Sequence, residues 1–361
     1  LEDKIVNLYK YGMRRNKMAV TIDDIAKKAG VSSATISRVL NNSSYVKEET
    51  REKVLKIIAE MNYVPSAIAR SLSKRETSTI GIVVPDITNS YFGEIIKGIS
   101  RIAEEVDLNI ILFNTNNNIK SELKALEEIK KHRLKGVIMT PGFGDTKFKH
   151  EFIEAIRSIN IPIVLVSADL NYITLSGVFV DDIEGGYLAT KALIENGHNK
   201  IGIITGIMSS SSALNRLTGY KRALKENNIP IDYNYIKEGK FKLEEAYRLT
   251  KDFLEMADSP TAIIACSNRM TLGVIKALIE QRIKIPNDIA LIGFNKIELM
   301  DTVGINLSYI EDSPMELGEA SISLLLDIFK SKEDNYEIKR INIPPKLILR
   351  GSEIKFLEEE L

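Results

Sequence analysis

The chain has 361 residues, 44% of them hydrophobic, and its 49 Lys/Arg balance 49 Asp/Glu to no net charge. That length supplies two or three domains at roughly 100–200 residues each. No apolar run approaches the ~20 residues of a membrane-spanning helix, one cysteine permits no intrachain disulfide, and His132, His150 and His198 stand apart without metal-ligand spacing, so no metal or other cofactor is expected.

Residues 1–17, LEDKIVNLYKYGMRRNK, mix acids and bases and lack a secretory signal's apolar core. They read as a disordered leader, with Met13 and Met18 as alternative starts, and a cytoplasmic protein is expected. Residues 18–64 read as an all-α helix-turn-helix head. Thr21 and Asp24 form a carboxylate variant of the capping box, and Ile22, Ile25, Ala26 and Ala29 recur at helical spacing. Gly30 breaks that helix and Ser32 caps the next, whose inward side is Ile36, Val39 and Leu40. Its first turn carries Ser33, Ala34, Thr35 and Ser37 with Arg38 just beyond, small enough to approach a major-groove floor. A third helix, about 47–61, brings Val54, Leu55, Ile58 and Met61 to close the core. Helix pairs around a Gly turn are widespread, so spacing alone leaves DNA binding open.

Charge adds to this picture. Residues 18–75 hold ten Lys/Arg against six Asp/Glu, so the rest of the chain beyond them is acidic. A basic head on an acidic body fits a nucleic-acid module joined to something else, although a solvated basic surface has the same composition.

Residues 65–78 read as a short helix and linker. Pro65 biases Val64 away from helix, and SAIARSL, led by Ser66, is too short to be stable alone. From residue 79 to 361 the pattern changes to apolar strands alternating with amphipathic helices. TIGIVVPD, NIILFNT, GVIMTP, IPIVLVS and VFVDD are followed by a second round, KIGIITG, AIIACS and IALIGF. Continuous apolar strands with crossover helices mean parallel sheets covered on both faces. Two rounds give an α/β core of two parallel-sheet subdomains, expected at about 79–178 with 309–338 and about 179–308 with 339–356. Ligands of such sheets sit at the carboxyl ends of the strands.

These features together resemble the LacI/GalR family of bacterial transcription regulators. The resemblance runs from about Val20 to Ser352 and is carried by VTIDDIAKKAGVSSATISRVLNN, YVPSAIARSL, STIGIVVPDITNSYF, NRLTGYKRAL, PNDIALIGF and PPKLILRGS. It implies a core like that of periplasmic binding proteins and a homodimer, tetramers being open, on a pseudo-palindromic operator in double-stranded DNA. Ser33, Ala34 and Arg38 fall where relatives read base edges. Only Arg38 has the fork for a guanine, while Thr21, Ser32, Thr35 and Ser37 suit phosphates. Ser66, Arg70 and Leu72 lie in the stretch similar to the family's hinge helix. There Leu72 matches a leucine that wedges into the minor groove, or else packs as a helix-terminal residue.

The resemblance also implies a small-molecule effector in the cleft. Tyr91 and Phe92 are positioned to stack on a ring, or to serve as core. Arg216, in NRLTGY, matches the family's ligand-binding arginine, the alternative being a surface arginine. Ser210, Ser212 and Ile264 complete the expected set with Ser167, Asn268 and Asn295, three positions where relatives carry carboxylates. Their loss reduces negative charge and favours tolerance of an anionic effector, so a sugar or sugar phosphate is expected. GFGD at 142–145 matches no phosphate-binding motif, Asp181-Asp182 reads as a helix cap, and no catalytic constellation stands out. The expectation is a ligand-controlled repressor and not an enzyme. Alternatives are a regulator with a protein or non-sugar co-effector, and a solute-binding receptor with the same core.

Overall fold

The computed structural model describes residues 20–40, 45–61, 63, 77–142, 149–170, 172–331 and 337–355. The leader and the hinge positions Ser66, Arg70 and Leu72 lie outside the described residues. The chain divides into two compact units, residues 1–75 and 76–361.

The head unit contains helices α1 (Ile22–Ala29), α2 (Ser33–Leu40) and α3 (Glu48–Glu60). Thr21 caps α1 in a full capping box: its Oγ1 accepts from the Asp24 N–H at 3.3 Å, and Asp24 accepts from the Thr21 N–H at 2.9 Å. Gly30 ends α1 at φ +68°, a left-handed conformation that glycine adopts freely. Ile25, Ala26, Ala29, Ile36, Val39, Val54 and Ile57 form the core. The sequence placed Leu55 in it, but Leu55 is 49% exposed. The inward stripe of α3 runs through Val54, Ile57, Ile58 and Met61 at spacing i, i+3, i+4, i+7, which turns Leu55 outward.

The second unit holds two six-stranded sheets. The first comprises β1 (Thr79–Val84), β2 (Asn109–Asn114), β3 (Gly136–Met139), β4 (Ile163–Val166), β5 (Ser176–Val180) and β11 (Arg340–Ile343), in the order β11-β5-β4-β3-β1-β2, all parallel. The second comprises β6 (Ile201–Thr205), β7 (Ile236–Glu238), β8 (Ala262–Ala265), β9 (Ala290–Phe294), β10 (Ser308–Glu311) and β12 (Lys346–Ile348), in the order β12-β10-β9-β8-β6-β7. Only the β10–β12 pair is antiparallel. Helices α4 (Ser90–Glu105), α5 (Ile119–Lys131), α6 (Lys149–Ile159) and α12 (Pro314–Lys330) accompany the first sheet. Helices α7 (Asp182–Glu195), α8 (Ser211–Glu226), α9 (Leu243–Leu254), α10 (Asn268–Glu280) and α11 (Glu298–Thr302) accompany the second.

The chain therefore changes sheets near Asp181, near Asp312 and between β11 and β12. The expected boundaries placed residues 309–311 with the first subdomain and 340–343 with the second. The pairing reverses both, since β10 lies beside β9 and Ile341 beside Val178. These strands are short, and β11 buries only Ile343, so their ladder partners rather than their own apolar pattern fix their place. Strand β2 was expected to be covered on both faces, but it is an edge strand with Ile111 38% and Leu112 42% exposed.

Candidate effector cleft and DNA-reading helix

In the head, α2 turns Ala34 and Arg38, one helical turn apart, to solvent on one face. Ser33 donates to Asp23 at 2.7 Å, which ties α2 to α1 and spends the hydroxyl the sequence offered to a base edge. Ser32 caps α2 by accepting from the Thr35 N–H at 3.2 Å, and the two hydroxyls share a hydrogen bond of 2.9 Å. Thr21 is held by its capping box, and Ser37 lies half-buried beside Arg38.

In the core, a cavity of about 340 Å³ opens between the carboxyl ends of the two sheets' strands. Tyr91, Phe92, Ser167, Ser212, Arg216, Asn268 and Asn295 line it, as expected. Ser210 and Ile264 do not. Ser210 is buried as the N-cap of α8 and bonds Ser212 at 2.8 Å. Ile264 sits at the centre of β8 with no exposed surface, because a central strand of a covered sheet buries both faces.

The first wall is aromatic. The Tyr91 and Phe92 rings meet edge to face, with centroids 5.3 Å apart. The Tyr91 hydroxyl shares a 2.7 Å hydrogen bond with Ser167, and burial raises its pKa well above the ordinary tyrosine value, so it stays protonated. Ser167 at φ +68° and Asn295 at φ +66° occupy equivalent places just past β4 and β9. Left-handed conformations at non-glycine residues are stored strain of the kind that gathers at ligand clamps.

The second wall is built around Arg216. Its Nε donates to Asp182 at 2.7 Å, Nη1 to the Cys266 carbonyl at 2.7 Å and Nη2 to Asp312 at 3.0 Å, and the guanidinium lies 4.2 Å over the Phe294 ring. Asn295 also donates to Asp312, at 2.8 Å, while Asp312 Oδ1 is buried with no partner. Asp182 was expected to cap a helix beside Asp181. Asp181 alone caps α7, and Asp182 is instead the buried partner of the arginine. Burial pushes the Asp182 carboxyl up to about 7, against the pull of Arg216, with the Asp312 charge adding to the rise. Two close approaches make this possible. Helices α7 and α8 touch through Gly186 and Gly219, where a side chain would meet the Arg216 carbonyl oxygen at 2.1 Å and that of Ile183 at 2.0 Å. Two buried carboxylates, Asp182 and Asp312, thus stand behind the cavity wall as partners of Arg216.

Sequence reasoning also missed Phe241, Asn89 and Arg269 on the cavity wall. Phe241 has φ +58°, and its ring lies where a side chain on Gly206 would be. The GKF run around it carries no periodicity to flag. Asn89 stood within the quoted motif DITNSYF, and accepts from Asn268 across the cleft at 2.7 Å. Among the described residues, no helix is long and apolar enough to cross a membrane.

Residues 21–66 match the family model "Bacterial regulatory proteins, lacI family", and residues 77–358 match "Periplasmic binding proteins and sugar binding domain of LacI family". The chain is 36% identical over 332 residues to the ribose operon repressor of Haemophilus influenzae, covering 92% of this chain and 98% of the relative. It is 34% identical over 336 residues to the HTH-type transcriptional repressor PurR of Haemophilus influenzae, with the same coverage. Among solved structures, the lac repressor dimer bound to operator and the anti-inducer ONPF is similar with a TM-score of 0.80 at 25% identity, covering 93% of this chain and 99% of that one.

Proposed function

The chain belongs to the LacI family of bacterial regulatory proteins, and on that premise we propose that it is a transcriptional repressor whose operator binding answers to a small sugar in the cleft. The supporting observation is that one chain joins an exposed Ala34–Arg38 reading face to a partly open cavity at strand carboxyl ends, walled by aromatic rings and polar side chains. It binds its operator as a homodimer. In this reading Arg38 holds a guanine, Ala34 offers apolar contact, and Thr21, Ser32, Thr35 and Ser37 lie along the phosphates. Ser33, tied to Asp23, supports the helix. Ser66, Arg70 and Leu72 supply the hinge contacts. A repressor works at the chromosome, which places it in the bacterial cytoplasm.

The effector lies between the Tyr91–Phe92 wall and Phe241. It takes hydrogen bonds from the donors that Arg216 has left and exchanges them with Asn268, Asn295, Ser167 and Ser212. A cavity of about 340 Å³ is at the small end of the roughly 300–1,000 Å³ range of ligand pockets, which suits a monosaccharide. Ribose, the sugar in the name of the 36% identical relative, is the first candidate. A ligand that binds only the native state stabilises it by about 2.7 kcal/mol at a hundred times its Kd. A thermal-shift screen of the full chain should therefore find a pentose or hexose that raises the midpoint. No shift from any neutral sugar would reject the sugar reading.

A further inference from the structure

We propose that Asp312 is a specificity-determining residue of the effector site, turning the cleft against anionic ligands by cancelling the charge of Arg216. The inference rests on the reading of the cleft as the effector site. An arginine on a cavity wall is ordinarily a receptor for phosphate or carboxylate, because its fork matches two anionic oxygens. Here the fork is occupied. Of five N–H donors, one goes to Asp182, one to the Cys266 carbonyl and one to Asp312. Arg216 is 6% exposed, Asp182 5% and Asp312 1%, so water screens the cluster little.

With both carboxylates ionised the cluster carries one net negative charge, and with one protonated it carries none. In neither state does an incoming anion meet a net positive charge. The remaining charges on the cavity wall do not reverse this, since Arg269 with Asp86 and Lys242 with Glu244 come in equal numbers. Asp312 does not line the cavity. It acts through two residues that do, holding Arg216 by Nη2 and receiving the Asn295 amide at 2.8 Å. That amide direction turns the carbonyl oxygen of Asn295 away from Asp312, as an acceptor for a ligand hydroxyl. Asp312 Oδ1, buried and without a donor, marks the carboxylate as more than the arginine needs. The two guanidinium donors left over serve hydroxyl groups well.

The test uses the full chain, calorimetry, and a matched pair of ligands differing by one phosphate, ribose and ribose 5-phosphate. Wild type should bind the neutral sugar at least tenfold more tightly. Asp312→Asn removes one unit of charge at constant shape and should narrow that ratio by about tenfold, the scale of one charge several ångströms away at an intermediate dielectric. Asp182→Asn removes the same charge from the other side of the guanidinium, and carries the test should Asp312→Asn not fold. A wild-type preference for the phosphate, or a ratio unmoved in both variants, overturns the proposal. If neither ligand binds wild type, the sugar reading fails and inorganic phosphate decides. At equal ionic strength it should raise the melting midpoint of Asp312→Asn more than that of wild type, and equal shifts overturn the proposal.

Discussion

Arg269, at the start of α10, reaches across the cleft to the loop after β1, with its Nη2 3.2 Å from Asp86 Oδ2 and 2.6 Å from Thr88 Oγ1. Its neighbour Asn268 donates to Asn89 at the end of that loop and, at 3.3 Å, to Ser90 at the start of α4. The two subdomains therefore bond directly at the mouth of the cavity. A ligand bound there would add to a closure that the protein already makes in part, so its binding energy would be divided between contacts of its own and those of the closed form.

Arg269 and Asp86 side chains are each 34% exposed, which places the ion pair in the ~0.2–1 kcal/mol range of partly solvated bridges. Arg269→Ala should weaken effector binding about two- to fivefold and enlarge the radius of gyration of the free protein. Calorimetry and small-angle scattering read the two effects. Unchanged values for both would show that the latch does not hold the cleft.

Two buried carboxyls, Asp182 and Glu122, should contribute more stability in mild acid than in mild alkali. Burial pushes Asp182 up to about 7, and pushes Glu122 up to about 7 against the hydrogen bond it accepts from the Gly142 N–H. Carboxyls with raised folded-state pKa values bind protons the unfolded chain has released. Stability from these groups is therefore greatest near pH 4 and is lost as pH rises to about 7. Glu122 Oε2 has no partner, so Glu122→Gln should stabilise the protein by ~1–3 kcal/mol above pH 7 and be nearly neutral at pH 5. Urea unfolding at pH 5 and pH 8 tests this, and a gain of equal size at both would refute it.

Gly186 and Gly93 make an opposed pair. A methyl group at Gly186 would meet the Arg216 carbonyl, whereas one at Gly93 meets nothing within 4 Å. Gly186→Ala should cost ~1–3 kcal/mol by forcing α7 from α8, and weaken effector binding through Arg216. Gly93→Ala, within α4, should gain ~0.5–1 kcal/mol. Thermal unfolding of both variants distinguishes them, and equal effects would contradict the close packing.

Arg38→Ala should cost ~1–3 kcal/mol of discrimination at one operator position while leaving the salt dependence of non-specific binding nearly intact. Competition binding with operators substituted at each base pair locates that position. A uniform loss across all substitutions would reassign Arg38 to a phosphate.

How much of this was legible depended on whether a feature is local. Strands β1, β3, β4, β6, β8 and β9 are continuous apolar runs, and the structure has them where those runs stand. Thr21–Asp24 announces its capping box within four residues. Strands β10, β11 and β12 bury too little of their own to be read without their partners, and the subdomain boundaries slipped there. The Asp312–Arg216 contact joins residues 96 apart in sequence, so the carboxylates backing the arginine could not be inferred from the motif that holds it. Phe241 and Arg269 belong to the site only because of which ends of the two sheets face each other.

In the proposed repressor, occupancy of the cleft changes operator affinity. The direct measurement is fluorescence anisotropy of operator DNA, recovered by selection from random duplexes, titrated with the full chain with and without saturating effector. Phe241→Ala, which alters the cavity wall but not the head, serves as the comparison. Saturating effector should shift wild-type operator affinity by about 5–150-fold, and shift it much less in the variant at the same ligand concentration. Identical operator affinity with and without a ligand shown to bind wild type would contradict it.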